Sequence, residues 1–234
     1  MGPSREYVKF DLPDGQMSAY VARPQKTAPV VVVLQEIFGV NADMRATCNE
    51  LADQGFIAIA PDLFWRDAPG LDLNSWNEAE WQRGLELYNK YDRDLGVRDV
   101  QAVVHAARQL EGASGRVGVM GFCLGGLLTF LAAARCDVDA SCAYYGAETD
   151  TYLGEMPSVR MPLLMHLAEN DEFMPRPAQQ RIRDAARIHT LVTTHSYAGC
   201  HHAFARHTGV HYDALATSTA NARSYAFLTE HLSH

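Results

Sequence analysis

The chain has 234 residues, 47% apolar and 21% charged, proportions of an ordinary globular protein that disfavour disordered and fibrous classes. With 20 Lys and Arg against 28 Asp and Glu, the net charge of -8 repels phosphate backbones and anionic lipid, so neither nucleic acid nor a membrane surface is an expected partner. Met1 to Phe10 lack a charged segment followed by an apolar one, and no apolar run reaches the roughly 18 residues of a spanning helix, which makes the cytoplasm the simplest location. The length suits one α/β domain over 1–234. The five cysteines, Cys48, Cys123, Cys136, Cys142 and Cys200, form no C-x-x-C pair, which argues against a disulfide framework and a zinc ribbon.

In chain order, segments near Tyr7 and Met17 flank Pro13-Asp14-Gly15, a turn sequence that predicts an antiparallel hairpin at a sheet edge. Strands are expected at Val30 to Leu34, Phe56 to Ala60, Val117 to Met120, Ser141 to Tyr145, Pro162 to Leu167 and Leu191 to Tyr197. Between them, helical periodicity marks Asp43 to Gln54, Asn77 to Tyr91, Leu95 to Leu110, Leu124 to Arg135, Ala178 to Arg187 and Tyr212 to Leu232. Asn41 suits an N-cap for the first helix and Gly55 a stop for it. The alternation predicts an α/β fold: a mostly parallel twisted sheet of about eight strands with helices on both faces. Phe64 to Asn77 is the one long irregular stretch, and such a stretch often forms a pocket rim.

The strongest chemical signal is Gly121-Phe122-Cys123-Leu124-Gly125-Gly126, between a predicted strand and a predicted helix. In a G-x-nucleophile-x-G elbow the central residue occupies a strained turn, and the flanking glycines permit close backbone approach. Cys123 is then exposed at the sheet edge. A helix N-terminus beneath it lowers the thiol pKa and points the Leu124 N–H at a developing oxyanion. The competing reading is a buried cysteine in a glycine-rich turn.

In α/β-hydrolases an acid and then a histidine follow the nucleophile on later strands. The loop Ala168 to Pro175 offers Asp171, with Glu169 and Glu172 as competitors, and Ala198 to Phe204 offers His201 or His202. A metal site from Cys200, His202, His207 and His211 is a weaker alternative, since the spacing matches no zinc pattern.

With these residues placed, the chain resembles the dienelactone hydrolase family nearly end to end. The likeness rests on Gln35-Glu36-Ile37-Phe38-Gly39-Val40-Asn41, Ala60-Pro61-Asp62-Leu63, Arg66-Asp67-Ala68-Pro69-Gly70, Val117-Gly118 with the elbow, Tyr144-Tyr145-Gly146, Asp171 with Pro175, and His202-Ala203-Phe204-Ala205-Arg206. The family's H-x-F-A-R register selects His202. The resemblance implies a Cys123, His202, Asp171 triad that hydrolyses an enol lactone through an acyl-enzyme, with the Ile37 N–H as second oxyanion donor beside Leu124. It further implies that Glu36 takes the thiol proton when substrate binds, so the resting cysteine stays neutral and is spared oxidation.

The resemblance also implies two arginines holding the substrate carboxylate. Arg206 matches one, but Trp81 stands where the other is expected. Arg83 is two residues on, roughly 200° around the helix, and would point away. Trp81, Leu85 and Tyr88 form an apolar stripe that lines either the pocket or the core, and Phe38 and Tyr144 are further expected pocket residues. Loss of one arginine favours a bulkier or less charged ester than a carboxymethylene butenolide. Ala203 and Cys200-His201 depart from the residues usual around the base. No cofactor and no metal is expected; the partner is a small-molecule ester or lactone, and the chain is expected as a monomer or weak dimer. A non-catalytic ligand-binding member of the same fold is the second reading.

Overall fold

The computed structural model describes residues 3–233. Among them the strands are β1 (Ser4–Leu12), β2 (Gly15–Arg23), β3 (Ala28–Leu34), β4 (Ile57–Pro61), β5 (Ala113–Phe122), β6 (Ala140–Tyr144), β7 (Leu163–Ala168) and β8 (Val192–Tyr197). The helices are α1 (Ala42–Asp53), α2 (Glu78–Lys90), α3 (Arg93–Arg108), α4 (Leu124–Arg135), α5 (Arg176–Arg187) and α6 (Ala214–Leu232). One 8-stranded sheet runs in the order β1-β2-β4-β3-β5-β6-β7-β8. The hairpin β1-β2 is antiparallel and joins β4 antiparallel at one edge, while the pairings from β4 through β3 to β8 are parallel. This is the mostly parallel α/β arrangement that the alternation of runs predicts.

The valine run in β3 shows why. Val30, Val32 and Leu34 pack into one core with α3, α4 and α5, through residues such as Val100, Leu127 and Ile182. Val31 and Val33 face the other core, with Met44 and Leu51 of α1 and Leu228 of α6. A strand buried on both faces has no polar side to display, so it reads as a continuous β-branched run. Each fully buried aliphatic side chain contributes about 1.5–3 kcal/mol.

Side-chain caps set the helix starts. Asn41 accepts from the Met44 N–H, Asn77 from Ala79 and Glu80, and Asp92 from Leu95. Asp213 caps α6 through Ala216, so that helix starts at Ala214 rather than Tyr212. A 3-10 helix at Thr149–Ser158 lies outside the expected elements; Gly154 and Pro157 within it disfavour the regular α-helical pattern that periodicity detects. Phe64 to Asn77 is irregular, as expected. Asp62 holds its start by accepting from the Phe64 and Gly70 N–H groups at 3.0 and 2.7 Å, and Arg66 bridges Asp14 and Asp99.

All five cysteines are unpaired. Burial raises the thiols of Cys48 and Cys142 well above their ordinary range and pushes Cys136 up to about 12, so these three are poor nucleophiles. Among the described residues, no helix is long and apolar enough to cross a membrane.

Candidate active site

The carboxyl ends of the parallel strands bring the chemistry together, as in open α/β sheets generally. At the end of β5, Cys123 adopts φ 55 and ψ -114, and α4 starts at the next residue; contrary to the expected exposure the residue is buried, reaching only the cavity above it. For a non-glycine residue this conformation costs about 1–3 kcal/mol and persists only when its surroundings enforce it. They do so through contacts that leave no room for side chains. A Cβ on Gly121 would lie 2.1 Å from the Gly125 carbonyl oxygen, and one on Gly125 would lie 2.2 Å from that of Leu34. Gly125→Ala is therefore expected to destabilise the fold by about 1–3 kcal/mol or more, read as a lower urea midpoint, and to reduce hydrolysis because the elbow shifts.

The elbow's backbone donors are partly committed. The Cys123 N–H donates to the Tyr144 carbonyl at 3.1 Å and the Gly125 N–H to the Gln35 carbonyl at 3.0 Å. The Leu124 N–H, at the first position of α4, belongs to the donors that a helix leaves without an internal partner.

Asp171 and His202 meet across the ends of β7 and β8. The His202 Nδ1 lies 3.0 and 2.9 Å from the two Asp171 carboxylate oxygens, and both side chains are buried. The carboxylate is itself oriented, accepting from the Phe173 and Met174 N–H groups at 2.9 and 3.1 Å. Tyr145 and Phe173 pack their rings against the imidazole at 5.1 and 4.8 Å between centroids. The competitors lie elsewhere: Glu169 accepts from the Gly199 N–H, while Glu172 and His201 are exposed.

Burial pulls the His202 imidazole down, but the neighbouring Cys123 sulfur and then the Asp171 carboxylate more than offset this, raising it from 6.5 to about 10. A value above that of the unfolded chain means that the protonated form stabilises the fold. The contribution is complete below about pH 6.5 and is lost as pH rises through about 10. Melting temperature is expected to fall across pH 6.5–10, and less steeply in Cys123→Ala, where the leading upward influence is gone.

A cavity of about 160 Å³ lies over Cys123 and His202. Trp81, Leu85 and Tyr88 of α2 form one wall, so the apolar stripe faces the cavity. Arg83 instead pairs with Glu86 on the exposed side. Ile37 and Arg206 complete this end, and Ala147, Glu148 and Phe173 line the remainder. The Arg206 Nε donates to a Glu36 carboxylate oxygen at 2.5 Å, with both side chains almost fully buried, and the second Glu36 oxygen has no hydrogen-bond partner among the described residues. The Arg206 guanidinium lies over the Phe38 ring at 4.7 Å.

Two expected pocket residues stand behind the cavity rather than on it. Phe38 is buried beneath Arg206 and packs against Trp81 at 5.3 Å, so it supports the wall. Tyr144 directs its hydroxyl to Asn221 and Ser224 on α6, at 3.0 and 2.8 Å, away from Cys123. The irregular stretch does not line this cavity, but its Ser75 lines a neighbouring cleft and Leu73, Asn74 and Trp76 line another. Cys200, His202, His207 and His211 do not converge: His202 engages Asp171, His207 faces Glu50 at 3.4 Å and His211 faces Glu172 at 3.7 Å.

Glu148 and Phe173 are lining residues that sequence reasoning missed. Phe173 lies two positions past Asp171, where the loop bearing the acid must pass the cavity. Glu148 follows Tyr144-Tyr145-Gly146, has φ 64 and is held by Arg93 at 3.2 Å, a placement without a sequence pattern.

The sequence profile of the dienelactone hydrolase family matches residues 17–232. The chain belongs to that family. It is 41% identical over 211 residues to a carboxymethylenebutenolidase of Pseudomonas putida, covering 90% of this chain and 89% of the relative. With carboxymethylenebutenolidase 1 of Cupriavidus pinatubonensis it shares 34% over 215 residues, covering 92% of each. Among solved structures, a dienelactone hydrolase from Anabaena variabilis superposes with a TM-score of 0.76 at 14% identity, covering 99% of this chain and 100% of the other. The dienelactone hydrolase-like promiscuous phosphotriesterase P91 from metagenomic libraries gives a TM-score of 0.81 at 20% identity, covering 99% of each. These structural likenesses show the fold, and the family membership makes the protein a hydrolase of the lactone or ester kind.

Proposed function

We propose that this dienelactone hydrolase family member cleaves an ester or enol lactone through a Cys123 thioester, with His202 and Asp171 completing the triad. The observation that carries the reading is the joint placement of Cys123 and His202 on one cavity, with Asp171 locked on the far side of the imidazole. A polar group of the substrate, a carboxylate or the acceptor oxygen of a neutral ester, engages Arg206 and competes with Glu36 for it. The released Glu36 carboxylate accepts the thiol proton, and the thiolate rests beside the His202 imidazolium. Attack on the carbonyl carbon forms an oxyanion facing the Leu124 and Ile37 N–H groups. Collapse breaks the bond to the enol or alcohol oxygen, which takes its proton from His202. Neutral His202 then removes a proton from water, and the hydroxide cleaves the thioester, releasing the acid and the thiolate. No metal or cofactor enters this scheme. Parallel assays of lactones and aryl esters with wild type and His202→Ala test it: the variant is expected to lose hydrolysis of every substrate, and equal activity would overturn the scheme.

The apolar wall sets the substrate class. With Trp81, Leu85 and Tyr88 lining the cavity and Arg206 paired to Glu36, the site favours an ester bulkier or less anionic than a carboxymethylene butenolide. Trp81→Arg adds a charge-assisted partner contributing about 1.5–3 kcal/mol. It is expected to lower KM for cis- or trans-dienelactone by about 10- to 100-fold and to raise it for a neutral aryl ester. A dienelactone KM unchanged by this substitution would remove the assignment of Trp81.

A further inference from the structure

Beside the cavity, three side chains converge that no step above uses. Glu172 is in the loop after β7, next to Asp171, while His201 and His211 are in the segment after β8, on either side of His202 in sequence. The Glu172 carboxylate faces the Nδ1 of His201 at 3.9 Å and that of His211 at 3.7 Å. The two imidazole rings are 4.8 Å apart and tilted by 30°. One potential ligand atom from each residue lies within 4.8 Å of the others.

We propose that Glu172, His201 and His211 form a binding site for a divalent cation of the zinc class. Two imidazoles and a carboxylate are a borderline-soft nitrogen and oxygen set suited to such an ion, and three protein ligands leave a fourth position open. Zinc bonds of about 2.0–2.1 Å place tetrahedral ligand atoms about 3.3 Å apart. All three residues are exposed, so side-chain rotation alone can close that difference.

Two consequences follow from the position. The ion ties the loop bearing the triad acid to the segment bearing the base. It also changes the local charge from the single negative of Glu172 to a single positive. His211 and Glu172 share their cleft with Trp81 and Arg206, so that positive charge stands near the place where Trp81 leaves a second cationic anchor missing. This charge role, unlike the binding itself, rests on the proposed hydrolysis.

The test uses the untagged full chain, stripped with chelator and titrated with zinc chloride by calorimetry. One equivalent is expected to bind, with affinity at least about tenfold weaker in His201→Ala and in His211→Ala. His207→Ala, which removes a histidine paired with Glu50 outside the cluster, is expected to bind as the wild type does. Absence of one-to-one binding, or equal weakening by all three substitutions, would overturn the site. Assay of the metal-free protein on a neutral aryl ester separates the two readings. Activity without zinc binding removes the metal site and leaves hydrolysis standing, whereas zinc binding by a protein inert toward every ester does the reverse.

Discussion

Cys123→Ala is expected to lower kcat/KM for lactone and ester hydrolysis by about 10⁴-fold or more, with His202→Ala nearly as damaging and the double variant little worse than either. The near-equality follows from the geometry. Cys123 and His202 line the same cavity, and Asp171 engages the imidazole on its Nδ1 side. The Nε2, without a hydrogen-bond partner among the described protein groups, remains to act on the sulfur and on the leaving oxygen. Removing either member abolishes the same step, so the losses do not add. Asp171→Asn preserves the packing but can present its amide N–H to Nδ1 and disfavour the productive tautomer, an effect of about 10⁴-fold in the corresponding serine triads. Other buried thiols cannot rescue Cys123→Ala, because burial holds those of Cys48 and Cys142 protonated. Steady-state kinetics on one lactone and one aryl ester read these outcomes. Full activity in Cys123→Ala would place the nucleophile elsewhere.

Arg206→Ala is expected to cost about 3–5 kcal/mol of stability, because it strands a buried carboxylate. Glu36 is 2% exposed, and among the described residues its second oxygen already has no partner, so Arg206 is the cation that makes its burial tolerable. Partner removal in a buried pair is far more damaging than replacement of both members by neutral groups. The double variant Glu36→Gln with Arg206→Met should therefore recover most of the loss, while the KM for an anionic ester stays raised by about 10- to 100-fold. Urea unfolding of the single and double variants separates the two roles. A destabilisation shared equally by both would mean that packing of Arg206 over Phe38, rather than its charge on Glu36, holds this end of the cavity.

Periodicity exposed the fold because both sheet faces are covered. The valines of β3 cannot alternate with polar residues when each face meets a core, and the caps Asn41, Asn77 and Asp92 bind backbone donors only a few residues away. The Cys123 elbow was legible for a similar reason: Gly121 and Gly125 are demanded by contacts that any Cβ would violate. Other features depend on distant partners. Tyr144 carries the right chemistry for a pocket, but its hydroxyl is claimed by Ser224, 80 residues on. Phe38 follows Ile37, the proposed second oxyanion donor, yet its ring lies under Arg206. The choice between His201 and His202 needed the family register, since neighbouring imidazoles look alike until one meets Asp171. The trio Glu172, His201 and His211 crosses two loops, and its convergence exists only in three dimensions.

The acyl-enzyme gives the most direct test of the central claim. A slowly hydrolysed aryl ester is mixed with the protein, quenched in acid within the first turnover, digested and analysed by mass spectrometry. The account predicts one added acyl mass on the peptide that contains Cys123, appearing with the burst of released phenol and decaying at the steady-state rate. A burst whose acyl mass resides on another residue, or turnover with no adduct at any time, would contradict it.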